Sequence, residues 1–271
     1  MAFQNVFQNV FQRYELKYML TADQKRKIME VMEPYMKQDE FGRSTIRSIY
    51  YDTPDSLLIR RSLEKPIYKE KLRVRSYTKA TADSTVFIEL KKKYESIVYK
   101  RRVGVSEADA VGYLNQGRPL EIKNQITEEI DYFLQFYKGL QPAVFLSCER
   151  EAFYGKEDHE LRITFDENIL WRDEDLSLQS EIYGKPILEP GCTLMEIKVA
   201  AAMPKWLVDV LSAEKIYQTS VSKYGAAYTQ KMSAQRTLLL PAGRYVSALT
   251  TQAGKNQKQR RKEVSYVESV I

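Results

Sequence analysis

Residues 68–78 read Tyr-Lys-Glu-Lys-Leu-Arg-Val-Arg-Ser-Tyr-Thr. Side chains of a strand alternate between two faces. Lys69, Lys71, Arg73, Arg75 and Tyr77 therefore share one face, and Leu72, Val74 and Ser76 share the other. The same habit recurs. Glu15 and Lys17 alternate with Tyr14, Leu16, Tyr18 and Leu20 in residues 12–20. Phe87, Glu89, Lys91 and Lys93 share a face in residues 85–93, and residues 96–105 carry Lys100 and Arg102. Cys148 and Arg150 share a face, as do Arg162, Thr164 and Asp166, and then Glu196 and Lys198. If these faces point outward, they make an unusually repulsive surface. If the sheet curls with them inward, they line a tunnel. Like charges that close repel by about a kcal/mol or more per near pair at an effective dielectric of ~20. A polyanion offsets that cost, and a linear chain of phosphates fits the donor geometry of Arg and Lys best.

The overall balance hides this segregation. The 271-residue chain has 42 Lys+Arg against 36 Asp+Glu, a net charge of +6. Residues 60–102 hold fourteen basic and five acidic residues, whereas residues 149–181 hold four basic and eleven acidic. Residues 252–271 add five basic and two acidic. A basic segment inside a nearly balanced chain points to a local anion site.

The remaining pattern alternates strands with helices. Strands are expected at residues 12–20, 44–52, 68–78, 85–93, 96–105, 142–150, 160–166 and 193–199. Thr21 and Gln24 form a capping box for a helix running to about Lys37, bent at Pro34. Short helices follow Pro54, lie between Ser106 and Gly117, between Asn124 and Gly139, and from Pro204 to Glu214. Trp171 is expected after a turn. From about Met232 the pattern dissolves, and residues 251–263 read as a polar basic tail. The duplicated Phe-Gln-Asn-Val at residues 3–10 reads as an N-terminal arm. The expected class is α+β: an antiparallel eight-stranded barrel with helices inserted between strands and packed outside. The expected organisation is an arm over residues 1–11, a domain over 12–231 and an extension over 232–271.

Several function classes are disfavoured. The single histidine, His159, lies in a charged turn, which argues against a His-based zinc site or a Ser-His-Asp triad. Cys148 and Cys192 are isolated thiols and read as core residues, suited to a reducing compartment. There is no Walker A pattern and no Gly-x-Gly-x-x-Gly, so nucleotide binding has to use side-chain cations. No apolar run approaches a membrane span, and no signal-peptide core opens the chain. Four carboxylates share the basic faces: Glu15, Glu89, Asp166 and Glu196. A carboxylate there either pairs with the lysines or holds a cation, and oxygen ligands suit Mg²⁺ or Mn²⁺.

The order of motifs resembles the VTC domain, the polyphosphate polymerase branch of the triphosphate tunnel metalloenzymes, a superfamily that includes the CYTH proteins. The motifs are R-Y-E-L-K-Y (residues 13–18), S-I-Y-Y-D-T (48–53), K-L-R-V-R-S-Y (71–77), I-E-L-K-K-K (88–93) and Y-K-R-R-V (99–103). They continue as C-E-R (148–150), L-R-I-T-F-D (161–166), M-E-I-K-V (195–199) and S-K-Y (222–224). The resemblance implies a tunnel in which ATP donates its γ-phosphate to a growing inorganic polyphosphate, with Mn²⁺ or Mg²⁺. Carried over by motif, Lys17, Arg73, Arg75, Lys91, Lys100, Arg150, Arg162, Lys198 and Lys223 grip phosphates. Arg73, Arg75, Lys91 and Lys198 form the catalytic set. Lys71 and Lys93, on the same faces, join the substrate-binding set. Ser222 donates to a phosphate, and Arg61 is a looser match. Glu196 holds the metal, with Glu15 and Glu89 beside it.

Arg13 stands two residues before Glu15, so the E-x-E-x-K start of the CYTH triphosphatases and cyclases is incomplete here. The resemblance further implies ATP, polyphosphate, triphosphate or pyrophosphate as ligands, a stand-alone cytoplasmic protein without a membrane span, and no nucleic acid. Its rivals are a triphosphatase, a non-catalytic polyphosphate binder, and a nucleic-acid binder with outward charges and stacking tyrosines at Tyr77, Tyr94 and Tyr99.

Overall fold

The structure is a computed structural model that describes residues 14–95 and 97–239. The expected N-terminal arm, Arg13 and the basic stretch 251–263 lie outside the described residues. Two compact units divide between Thr229 and Gln230.

The elements run β1 (Tyr14–Leu20), α1 (Ala22–Met32), β2 (Met36–Asp52), α2 (Leu57–Leu63), β3 (Tyr68–Ser76), β4 (Thr85–Tyr94), β5 (Ile97–Ser106), α3 (Glu107–Gln116) and α4 (Gln125–Phe136). They continue as β6 (Gln141–Gly155), β7 (Arg162–Arg172), β8 (Lys185–Pro186), β9 (Thr193–Val199), α5 (Lys205–Ala213), β10 (Gln218–Thr219) and α6 (Lys223–Leu239). The sheet is antiparallel in the order β10-β1-β9-β7-β6-β2-β3-β4-β5, with β8 beside β7. Eight strands are long; β8 and β10 have two residues each.

The sheet curls like a barrel, but backbone pairing does not close it. β10 and β5 are its two ends. Side chains cross the interior instead: Lys91 of β4 reaches Glu15 of β1 at 3.3 Å. Lys71 of β3 reaches Ser222, just after β10, at 3.0 Å.

The cores explain the curl. The outer faces of β2–β5 supply Ile49, Leu72, Val74, Val86, Ile88, Leu90, Val103 and Val105, which pack under α3 and α4 through Ala110, Leu114, Ile130 and Phe133. The outer faces of β1, β7 and β9 supply Leu20, Ile163, Phe165, Met195 and Ile197, which pack under α1 and α5. The apolar faces thus turn outward, beneath helices. The alternation of β3 is exact in burial as well as in sequence: Leu72 and Val74 are buried, while Lys71, Arg73 and Arg75 are half-buried on the inner face. A third, inner core fills one end of the bore. There Tyr50, Val144, Leu146, Cys148, Trp171 and Leu194 pack on Tyr224 and Ala227 of α6.

Several expectations are corrected. α1 stops at Met32 and does not reach Lys37, because Pro34 supplies no N–H to continue it. β2 begins at Met36, ahead of the expected 44, and carries two register shifts against β6, one where residues 39–42 bulge out of the pairing and one between Tyr50 and Tyr51. Trp171 lies inside β7 and not after a turn. The chain beyond Ser222, expected to lose its pattern at Met232, continues as α6 to Leu239. The capping box at Thr21 and the caps at Ser106, Gly117 and Asn124 form as expected.

Candidate functional site: a basic, carboxylate-studded bore

The inner strand faces form one connected polar network. In β3, Arg73 donates to Glu89 at 2.7 Å and to the Tyr50 hydroxyl at 2.8 Å. Arg75 has looser contacts: the Ser48 hydroxyl at 3.3 Å and Glu89 at 4.0 Å. Lys100 approaches the other Glu89 oxygen at 2.7 Å without a well-angled hydrogen bond. Glu89 is buried, which works to raise its pKa, yet Arg73, Arg75 and Lys100 hold it far below the carboxylate range.

On the opposite wall, Arg150 forks onto Asp166 at 2.5 and 2.6 Å. Lys223 also binds Asp166 and lies 3.0 Å from Glu196. Lys17 lies 3.4 Å from an oxygen of both Glu15 and Glu196, and donates to the Val221 carbonyl at 3.0 Å. Burial opposes ionisation of Glu196, but Lys223, Lys17 and Arg150 prevail and its pKa lies well below normal. Burial likewise opposes ionisation of Glu15, and Lys91 and Lys17 bring it down to about 2. Both carboxyls are therefore anions at neutral pH.

Other groups carry strained protonation states. Burial pushes Lys71 down to about 8, helped by Lys91, Lys69 and Lys17 and opposed by Tyr50. Burial pushes Lys198 to about 8 against the pull of Glu15 and Glu196. Burial would raise Tyr50, but Arg73, Arg75 and Lys71 lower its phenol to about 8. Cys148 is buried, and burial with the nearby Asp166 raises its thiol to about 11, so it is no nucleophile at neutral pH. His159 is exposed.

The first turn of α6 brings two further groups into the bore. Ser222 precedes the helix, and its hydroxyl accepts from the Gly225 N–H at 3.2 Å and from Lys71. Its own O–H remains as a donor. Lys223 follows directly. Tyr224 fixes this turn: its ring stacks on Tyr50 at 4.9 Å and its hydroxyl donates to Asp52 at 2.8 Å. Asp52 also accepts the N–H groups of Leu58 and Ile59 at the start of α2.

Most of the expected residues share this bore. Lys17, Lys71, Arg73, Arg75, Lys91, Lys93, Lys100, Arg150, Lys198, Ser222 and Lys223 lie on its inward faces or at the α6 turn, with Glu15, Glu89 and Glu196. Arg162 occupies the same face of β7 nearer the rim, exposed, with Asp39 at 3.8 Å. Arg61 does not join them. It interacts with Tyr137, whose hydroxyl bonds Glu70, and Glu70 lies on the face of β3 opposite to Lys71. The α2 helix sets Arg61 there, outside the curl. The metal expectation narrows as well. Glu15 and Glu196 converge on one ammonium, while the oxygens of Glu89 face Arg73 and Lys100 on another wall. Among the described residues no three His, Cys, Asp or Glu side chains gather into a metal cluster. Two ionised carboxylates already sharing a cation do have the donor chemistry for a divalent ion whose other ligands are phosphate oxygens and water. Arg102, Tyr50 and Ser48 were absent from the expected set. Parity with Lys100 was the signal for the first, and the register of β2 against β3 for the other two.

The VTC domain family model matches residues 12–232. The chain belongs to the VTC domain family. Among curated proteins, this VTC domain is 24% identical over 217 residues to vacuolar transporter chaperone complex subunit 4 of Trypanosoma brucei brucei, covering 67% of the chain and 27% of that relative. The chain therefore spans about a quarter of the length of that protein. Among solved structures, the VTC domain is similar to a putative adenylate cyclase of Bacillus halodurans (13% identity, TM-score 0.49, 79% of this chain and 95% of that one). It is also similar to a putative adenylyl cyclase from Hippeastrum described as having a dominant triphosphatase activity (16% identity, TM-score 0.46, 85% and 98%). No described helix is long and apolar enough to cross a membrane.

Proposed function

We propose that this VTC domain is a polyphosphate polymerase that transfers the γ-phosphoryl group of ATP to the end of an inorganic polyphosphate. The observation that carries this reading is the bore itself. Cations far outnumber carboxylates on its inward faces, and several are held in costly states that a chain of phosphates would relieve. Arg75, Lys71, Lys91, Lys93, Lys100 and Lys198 bind phosphate oxygens from several strands at once. Arg73 and Arg150, fixed by Glu89 and Asp166, present oriented guanidinium groups. Glu15 and Glu196 would hold Mn²⁺ or Mg²⁺, which supplies charge neutralisation between phosphates when bound.

A terminal oxygen of the acceptor attacks the γ-phosphorus, the bond to the β,γ-bridging oxygen breaks, and ADP leaves. The cations align donor and acceptor and take up the spreading negative charge, a task that needs no histidine or thiol. Ser222 donates to one phosphate, and Lys223 brings charge from the α6 turn. The domain over residues 12–231 carries this activity.

The test is product analysis. Incubation with ATP and Mn²⁺ gives ADP and a long anionic polymer on a gel. Free phosphate in step with ADP, with no polymer, overturns the polymerase reading in favour of a triphosphatase with water as acceptor. Ligand-induced stabilisation with no turnover under any divalent ion supports a binder.

A further inference from the structure

At one end of the bore the cations give way to rings. Phe87 stands two residues before Glu89 on the inward face of β4, opposite Arg75 on β3 and Gly104 on β5. The Arg102 guanidinium lies 3.3 Å from the centroid of the Phe87 ring. Tyr77, just past the end of β3, meets Phe87 edge-on at 5.8 Å and lies 5.7 Å from the same guanidinium. Gly104 makes the arrangement possible, since a Cβ there would come within 3.2 Å of the Phe87 ring. Tyr77 is 39% exposed and Arg102 is exposed as well. Toward the other end, the same faces of β3 and β4 finish in Lys69 and Lys93, directly paired and without a ring. On these two strands the lining is thus asymmetric along its length: aromatic toward one rim, lysine toward the other.

We infer that Tyr77, Phe87 and Arg102 form a subsite for the heterocyclic base of a nucleotide whose phosphates lie on the adjacent cations. The inference rests on the phosphate-binding reading of the bore. Glu89, opposite Arg102 in register, is taken by Arg73 and Lys100, so the contacts of Arg102 are with rings. A planar guanidinium resting on one ring presents a second face for stacking, and an exposed tyrosine beside it supplies an edge or a face. Two residues along a strand span about 7 Å, which is the gap a ribose has to bridge between this cluster and the cations around Glu89. An inorganic polyphosphate has nothing to place there. The subsite therefore separates the nucleotide donor from the polymer acceptor, although both are chains of phosphates.

The test compares ATP with inorganic tripolyphosphate by isothermal titration calorimetry, without metal and at fixed salt, for the wild type, Tyr77→Ala and Tyr77→Phe. ATP binding is expected to weaken about tenfold in Tyr77→Ala, the effect of one lost stacking contact, and to recover in Tyr77→Phe. Tripolyphosphate binding is expected to change less than twofold in either variant. Equal losses for the two ligands, an unchanged affinity for ATP, or wild-type binding of tripolyphosphate without ATP overturns the base subsite alone. Failure of the wild type to bind tripolyphosphate overturns the phosphate reading and the subsite with it. A thermal melt of each variant controls for folding, and the exposure of Tyr77 keeps that control informative.

Discussion

Arg73 and Arg75 stand two residues apart on one face of β3, and their surroundings give them different duties. Arg73 is committed to Glu89 and Tyr50, so Arg73→Ala leaves a buried carboxylate short of its partner. It is expected to destabilise the protein by about 3 kcal/mol in urea denaturation. Among the described residues Arg75 makes loose contacts with Ser48 and Glu89, so Arg75→Ala is expected to cost less than about 1 kcal/mol in the same measurement. Tripolyphosphate affinity of Arg75→Ala should nevertheless fall at least tenfold, the scale of one charge-assisted hydrogen bond. Equal stability losses in the two variants would contradict this division. Glu196→Gln separates metal from phosphate: metal-stimulated turnover should disappear, while metal-free tripolyphosphate binding tightens, because one anion has left a cationic lining. Lys71 and Lys198, brought by burial to about 8 from an ordinary 10.5, set the pH response. Between those values the unfolded chain binds more protons than the folded one, so these lysines make the unliganded protein more stable as pH rises from about 8 toward 10. A bound polyanion raises both pKa values, so binding near pH 8.5 should take up protons, seen as a dependence of the calorimetric heat on buffer ionisation enthalpy. Side-chain parity made most of these residues visible in sequence, because a period of two needs only local order. Arg61 misled because a loose motif match fixes a residue's place in the order of the chain and not the face it occupies, and only the packing of α2 decides that.

The first turn of α6 carries more consequence than its length suggests. Tyr224 joins three elements, stacking on Tyr50 of β2 and donating to Asp52, whose carboxylate also caps α2. Tyr224→Phe keeps the stack and removes one hydrogen bond. It is expected to lower stability by about 1 kcal/mol and to weaken tripolyphosphate binding through looser placement of Ser222 and Lys223. Unchanged binding with lowered stability would limit Tyr224 to a structural role. Strands β3, β4, β5 and β9 were readable from alternation, and α3 and α4 from caps that bind the chain to its own backbone. The start of α6 was not readable as a helix. It packs Tyr224 and Ala227 against inward strand faces, and its mix of Ser, Lys, Tyr, Gly and Ala carries neither a helical stripe nor an alternation. The beginning of β2 was hidden for a related reason: residues 39–42 bulge, and a bulge erases period two.

Taken whole, the fold turns the usual arrangement around, with oily faces beneath helices on the outside and charge within. Repulsion inside the unliganded bore should make added salt raise its melting temperature by screening. The same salt should shrink the further rise that tripolyphosphate produces. Melts across an ionic-strength series with and without ligand check both slopes, and parallel slopes would contradict a charged interior. The curl and its layers could be anticipated from outward apolar positions, but the open order from β10 to β5 could not, since strand closure depends on pairings between residues far apart in the chain. That opening has a consequence of its own. A cylinder zipped by amide hydrogen bonds has a fixed girth and admits a thread only by its tip. Here the curl is held across its interior by Lys91 of β4 on Glu15 of β1 and by Lys71 of β3 on Ser222. The Lys91–Glu15 crossing persists in acid, because Glu15 stays charged down to about pH 2, whereas Lys71 sheds its charge as pH rises past about 8. Both crossings yield to competing phosphates, which draw the lysines away. On the proposed phosphate-binding reading, the ligand that fills the bore is thus also the agent that loosens the crossings that hold the curl together.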